Sequence, residues 1–155
     1  MRVRIEISEE DPTSDAATAL IEALSWDLAK RYDSDGPERA GFDPTAQSGP
    51  GRAFLVARLD GVPVGCAALV PVRPTVGELK RMYVVPDARG RGVARALLVA
   101  IEDTARRYGY EQLWLETGLR QPEAIALYES AGYRRIPDFG HYAGEELVRS
   151  LGKRL

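Results

Sequence analysis

Residues 78–98, ELKRMYVVPDARGRGVARALL, constrain the fold more than any other stretch of the chain. Leu79–Val85 is an apolar strand candidate, and Pro86-Asp87 stops its ladder and opens a turn. After Arg89-Gly90-Arg91-Gly92-Val93-Ala94, apolar residues recur at helical spacing through Leu97, Leu98 and Ile101. The spacing predicts a helix over 91–108, with Gly109 as its C-cap, and then a strand over Gln112–Glu116. A strand reached through a crossover helix lies parallel to the strand before it, so 79–85 and 113–117 are expected side by side and parallel.

The start of that helix suits a phosphate. Its first N–H groups have no intrahelical partner and point into the loop with the positive end of the macrodipole. Gly90, Gly92 and Ala94 allow close approach to the backbone, and Arg89, Arg91 and Arg95 add positive charge. A plain turn before a helix is the other reading. Two familiar phosphate loops are excluded: no Gly-Lys-Ser/Thr follows, and Arg95 stands where G-x-G-x-x-G needs a small residue.

The rest of the chain supplies more sheet. Residues Val3–Ile7 alternate as a half-exposed strand, Asp11-Pro12 ends it, and Thr13 or Ser14 can cap a helix running to about Tyr32. Residues 33–51 are rich in Gly, Pro and Asp, which predicts a long irregular segment, either a solvated connector or a functional loop. AFLVARL, the Asp60-Gly61 hairpin signal and Val62–Val72 make a strand pair, and Gly77–Val85 a third strand. A helix over 121–130, with Pro122 in its first turn, precedes short strands near 133–136 and 145–153. The order β, α, irregular, βββ, α, β, α, ββ predicts an α/β (α+β) fold, a single mixed sheet with helices on both faces. At 155 residues the chain is expected to be one domain, 1–155.

Composition narrows the function. A hydrophobic fraction of 45% and a net charge of −2 describe an ordinary globular protein without the basic field that gathers nucleic acid or anionic membrane. No apolar run approaches a membrane span and the N-terminus lacks a signal peptide's apolar centre, so a cytoplasmic location is expected. Cys66, in VGCAALV, reads as a packing residue, because His141 is the only histidine that could activate it. One Cys and one His make no usual zinc site, and no metal is expected.

Two ordered motifs carry a resemblance. Arg89, Gly92 and Ala94 fit Gln/Arg-x-x-Gly-x-Gly/Ala directly after MYVVP, and residues 113–133, LWLETGLRQPEAIALYESAGY, end in Leu-Tyr-x-x-x-Gly-Tyr. Together they resemble the GCN5-related N-acetyltransferase (GNAT) superfamily. That resemblance implies a mostly antiparallel sheet of about seven strands whose central parallel pair splays apart, leaving main-chain groups on Met82, Tyr83, Val84 and Val85 without a neighbour. The amides of a pantetheine arm would complete that ladder as an added strand does.

By the same resemblance, acetyl-CoA is the co-substrate. The main chain of Tyr83 and Val85 holds pantetheine, Arg89, Gly90, Arg91, Gly92, Val93 and Ala94 hold pyrophosphate, and Gln121 stands where the family often has an Asn on the cofactor arm. Tyr128 is implied as the general acid, since a phenol titrating near about 10 stays protonated at neutral pH. The Val85 N–H is implied to polarise the thioester carbonyl, and Glu78 to be the base, with Glu116 as the other candidate. Asp33, Asp35 and Glu38 could attract a cationic amine, and Trp26, Tyr32, Phe42, His141 and Tyr142 could wall the acceptor pocket.

The activity implied is acetyl transfer to a primary amine of a small molecule by direct attack in a ternary complex. A non-catalytic acyl-CoA sensor and a protein N-terminal or lysine acetyltransferase are the alternatives. Neither nucleic acid nor membrane is an expected partner, and a homodimer is an assembly frequent in the family.

Overall fold

In a computed structural model of the chain, which describes residues 4–39 and 41–155, every expected element forms. The strands are β1 (Ile5–Glu9), β2 (Ala53–Leu59), β3 (Val62–Arg73), β4 (Val76–Val84), β5 (Gln112–Gly118), β6 (Arg134–Arg135) and β7 (Val148–Arg154). The helices are α1 (Asp15–Arg31), α2 (Val93–Arg107) and α3 (Pro122–Ser130). Val3, where the first strand was expected to begin, lies outside the described residues.

Local chemistry accounts for the boundaries. Ser14 Oγ accepts the Ala17 N–H and caps α1. Asp60 and Gly61 both have positive φ, as a two-residue hairpin turn between right-twisted strands requires. Among the described residues of 33–51 the one regular element is a 3-10 turn, Pro44–Ala46, capped by the Asp43 carboxylate.

The seven strands form one sheet in the order β1-β2-β3-β4-β5-β7-β6, and β4 with β5 is its parallel pair. Both faces are covered, so the central strands read as continuous apolar runs rather than alternating ones. In β2, Ala53, Leu55 and Ala57 pack with α2 residues Leu97, Leu98 and Ile101, while Phe54 and Val56 pack with Leu20, Ile21 and Leu24 of α1. α3 joins the α2 side through Tyr128.

Two departures from a regular ladder set up the site. β4 pairs with β5 only from Val76 opposite Gln112 to Leu79 opposite Leu115, so the gap opens at Lys80, earlier than expected. On its other edge β4 carries a bulge: Cys66 faces Tyr83 and Ala68 faces Lys80, so Arg81 and Met82 together oppose Ala67. Arg81 adopts φ +54°, a left-handed conformation costly for a side chain with a Cβ. Such an extra residue bends its strand and increases its twist, which is how β4 can leave β5 while keeping β3.

Candidate functional site

The gap between β4 and β5 holds two adjoining cavities. One, about 370 Å³, is bordered by Met82, Tyr83 and Val84 and by Arg89, Gly90, Gly92, Val93 and Ala94 of the loop entering α2. The other, about 550 Å³, lies toward α1 and the segment before β7. Leu24, Met82, Gln121, Ala124 and Tyr128 border both, so the two form one groove with Tyr128 at the waist.

At the loop end, Gly90 (φ +77°) and Gly92 (φ +83°) take a conformation that favours glycine, and a Cβ on either would meet open space. The glycines are therefore required by backbone shape. Gly92 is the α2 N-cap and supplies no capping side chain, which leaves the first-turn amides facing the cavity. The arginines are less alike than the sequence suggested. Arg89 donates from Nε to the Val84 carbonyl at 3.0 Å, Arg95 donates to Ser130 Oγ at 2.9 Å, and Arg91 is exposed beyond the cavity wall.

The main chain of β4 corrects one expectation. The Val85 N–H donates to the Val64 carbonyl at 2.8 Å, so it is not available to polarise a thioester carbonyl. Val64 and Val85 thus form a hydrogen-bonded pair, and so do Cys66 and Tyr83 two residues on, which turns Tyr83's main-chain groups toward β3 as well. The alternation turns Val84, between them, toward the gap, where its carbonyl already takes Arg89 and its N–H faces the groove. The expected parity was displaced by one residue because the bulge at Arg81 and Met82 shifts the register of β4 on β3.

In the larger cavity, Glu78 is buried, with Lys80 Nζ at 3.6 Å from Oε2. Burial, reinforced by the like charge of Glu116 and opposed by Lys80, pushes its carboxyl up to about 7. Glu116 also borders this cavity; its Oε2 accepts the Tyr142 N–H at 2.9 Å, and its buried Oε1 has no hydrogen-bond partner. Lys80 Nζ donates to the Gly41 carbonyl at 2.9 Å, and Arg81 donates to the Glu38 carbonyl at 3.0 Å while lying over the Phe42 ring. Tyr128 is buried with its ring edge-on to Tyr133, and burial holds its phenol well above the ordinary range.

Of the aromatic residues expected to wall this cavity, Tyr32, Phe42 and Tyr142 do so. Trp26 does not: it is 54% exposed on α1, because the buried stripe of that helix runs through Ala17, Leu20, Ile21 and Leu24. His141 is exposed outside the wall, its ring edge-on to Tyr142. Glu38 borders the cavity, whereas Asp33 pairs outward with Arg120 and Asp35 is exposed. Cys66 is buried with its thiol pushed up to about 12, as a packing residue should be.

Sequence reasoning passed over Lys80, Arg81 and Gly118. Two adjacent cations inside an apolar strand were a readable sign of a bulge, since strict alternation cannot place both on one face. Gly118 gave no sign. A Cβ there would lie 1.4 Å from the Tyr32 hydroxyl, and only glycine lets Tyr32 donate to Gln121 Oε1 at 3.3 Å. Among the described residues no group of three or more His, Cys, Asp or Glu could hold a metal, and no helix is long and apolar enough to cross a membrane.

A splayed parallel pair, a glycine loop at a helix N-terminus and a carboxylate–tyrosine groove define the class of coenzyme A-dependent acyltransferases. Residues 17–133 match the Acetyltransferase (GNAT) family, and the chain belongs to that family as an N-acetyltransferase. It is 39% identical over 152 residues to an IAA acetyltransferase of Azospirillum brasilense, covering 97% of this chain and 98% of that one. A crystal structure from Klebsiella pneumoniae, assigned as an acyl-CoA N-acyltransferase, superposes with a TM-score of 0.80 at 33% identity over 97% of both chains. The same fold, at 19% identity and a TM-score of 0.69 over 97% of this chain and 98% of that one, occurs in a GNAT family acetyltransferase from Elizabethkingia anophelis with acetyl-CoA bound.

Proposed function

We propose that this chain transfers the acetyl group of acetyl-CoA to a primary amine of a small molecule, by direct attack in a ternary complex. The observation that carries the reading is the continuous groove whose narrow part is built for a pyrophosphate and a pantetheine arm and whose wide part ends on a buried carboxylate. A relative at 39% identity named an IAA acetyltransferase supports a small-molecule acceptor.

The geometry supports a set of cofactor contacts. The α2 amides, with Gly90, Gly92 and Ala94, take the pyrophosphate through aligned N–H donors. The pantetheine amides lie along Met82–Val84 in place of the missing strand. Gln121, held by Tyr32, is offered as a lateral contact to that arm. The oxyanion role passes from Val85 to the Val84 N–H, which faces the groove.

The residues then divide the chemistry. The amine must lose its proton to become a nucleophile, and Glu78, held near neutral titration by burial, accepts it directly or through water. The amine nitrogen bonds to the thioester carbonyl carbon, and the charge that develops on oxygen meets the Val84 N–H. As the tetrahedral adduct collapses, the C–S bond breaks and Tyr128, whose burial keeps it protonated, donates to the leaving thiolate. The second proton on the new amide nitrogen passes to the Tyr128 oxygen, directly or through water. One oxygen of Glu116 is bound to the Tyr142 N–H, which favours Glu78 as the base.

A thiol-release assay with acetyl-CoA and a panel of small amines, amino acids and peptide N-termini tests the reading. Release with at least one small amine, and none with peptides, is the expected result. Tight acetyl-CoA binding without turnover on any acceptor would instead make the groove an acyl-CoA sensor.

A further inference from the structure

Behind Tyr128 lies a buried polar cluster that the groove itself does not require. Glu102, in the third turn of α2, is buried at 7% exposure. Its Oε2 accepts the Tyr133 hydroxyl at 2.7 Å, and Lys153 Nζ on β7 donates to both of its oxygens at 3.1 and 3.2 Å. Lys153 Nζ also sits 5.6 Å from the centre of the Tyr133 ring, and that ring meets Tyr128 edge-on at 5.8 Å. Burying a carboxylate costs several kcal/mol unless it is fully partnered, so apolar residues would hold these elements together at least as well. The cluster therefore asks for a reason other than stability.

We propose that Tyr133, anchored by Glu102 and Lys153, is a positioning residue that fixes the Tyr128 hydroxyl at the sulfur end of the groove. The inference rests on the reading of Tyr128 as the acid. α3 has only nine residues, and Tyr128 lies in its last turn, where helix ends fray. What restrains it there is Tyr133. The Tyr133 N–H donates to the Tyr128 carbonyl at 3.0 Å, and its ring closes one side of the Tyr128 ring. Tyr133 is in turn tied through Glu102 to α2, the helix whose N-terminus faces the pyrophosphate end of the groove.

Arg95, in the first turn of α2, makes a second tie by donating to Ser130 Oγ, which donates to the Leu127 carbonyl at 2.8 Å. The phosphate loop and the acid are thus referred to one rigid helix. A cofactor seated on the loop meets a hydroxyl already in register, and placement errors near 1 Å can cost on the order of a hundredfold in rate.

The test is a double-mutant cycle on the full chain with Tyr128→Phe, Tyr133→Phe and the pair, read as kcat, acetyl-CoA Kd and Tm. Tyr133→Phe removes one hydroxyl and keeps the ring. It is expected to lower kcat about tenfold, to leave acetyl-CoA Kd within about twofold, and to add nothing to Tyr128→Phe in the pair. Glu102→Gln, which keeps an oxygen for the Tyr133 hydroxyl, is expected to retain kcat within about threefold. Tyr133→Phe with a lowered Tm but unchanged kcat well below that temperature, or multiplicative losses in the pair, would overturn the positioning role. Tyr128→Phe at full speed would overturn the acid itself, a separate failure visible in its own arm of the cycle.

Discussion

Replacing Glu78 by Gln separates what the carboxylate does for stability from what it does for the reaction. In the folded protein burial raises this group from 4.5 to about 7, with Lys80 on β4 and Glu116 on β5 as the charged neighbours facing it. A group that binds its proton more tightly when folded contributes stability fully below its unfolded value and loses it as pH rises through about 7. At 1.36 kcal/mol per unit, the ionised carboxylate therefore burdens the fold by about 3 kcal/mol above neutrality. Gln carries no such burden, although Lys80 loses its ion pair and keeps only the Gly41 carbonyl.

The expected net gain is about 2 kcal/mol near pH 8, or roughly 4–8 °C in Tm for a chain of this size, shrinking toward zero near pH 4.5. Paired melting scans at the two pH values measure it. The same variant should lose about a hundredfold or more in kcat/KM, and the rise in wild-type rate through about pH 7 should disappear. A Tm difference that does not change with pH would refute the burial argument. An unaltered pH–rate profile would refute Glu78 as the base.

Other substitutions probe the rest of the groove. Gly92→Asp puts a Cβ at φ +83° and a negative charge among the α2 amides, so acetyl-CoA binding measured by calorimetry should fall by at least about a hundredfold. Gly118→Ala places a methyl on the Tyr32 hydroxyl and must expel that ring. Acetyl-CoA KM should rise about threefold to tenfold, and adding Tyr32→Ala should not deepen the loss. Cys66, buried with its thiol pushed up to about 12, should resist alkylation in the native protein and react only on unfolding, as mass spectrometry would show.

Most of the sheet order could be read in advance because its signals are local. The Asp60-Gly61 turn, the Ser14 cap and the Pro86 stop each act over a few residues, and the crossover helix α2 obliges β4 and β5 to run parallel. The turn that enters α2 was legible for the same reason, since Gly90 and Gly92 sit where the backbone needs positive φ. Trp26 and His141 were misplaced because an aromatic side chain looks alike in sequence whether it faces a core, a pocket or solvent.

The sequence by itself determined a strand, a glycine-bearing loop and a helix in that order, leading to one parallel partner strand, and so an architecture with a recess at the helix N-terminus. Tertiary structure alone decided which amides face that recess. The bulge at Arg81 and Met82 and the Val64–Val85 hydrogen bond give the groove to Val84, and residues 38 positions apart (Glu78 and Glu116) come to border one cavity. The physical reason is that hydrogen-bond parity and burial belong to pairs of strands, and no stretch of one strand specifies its register on another.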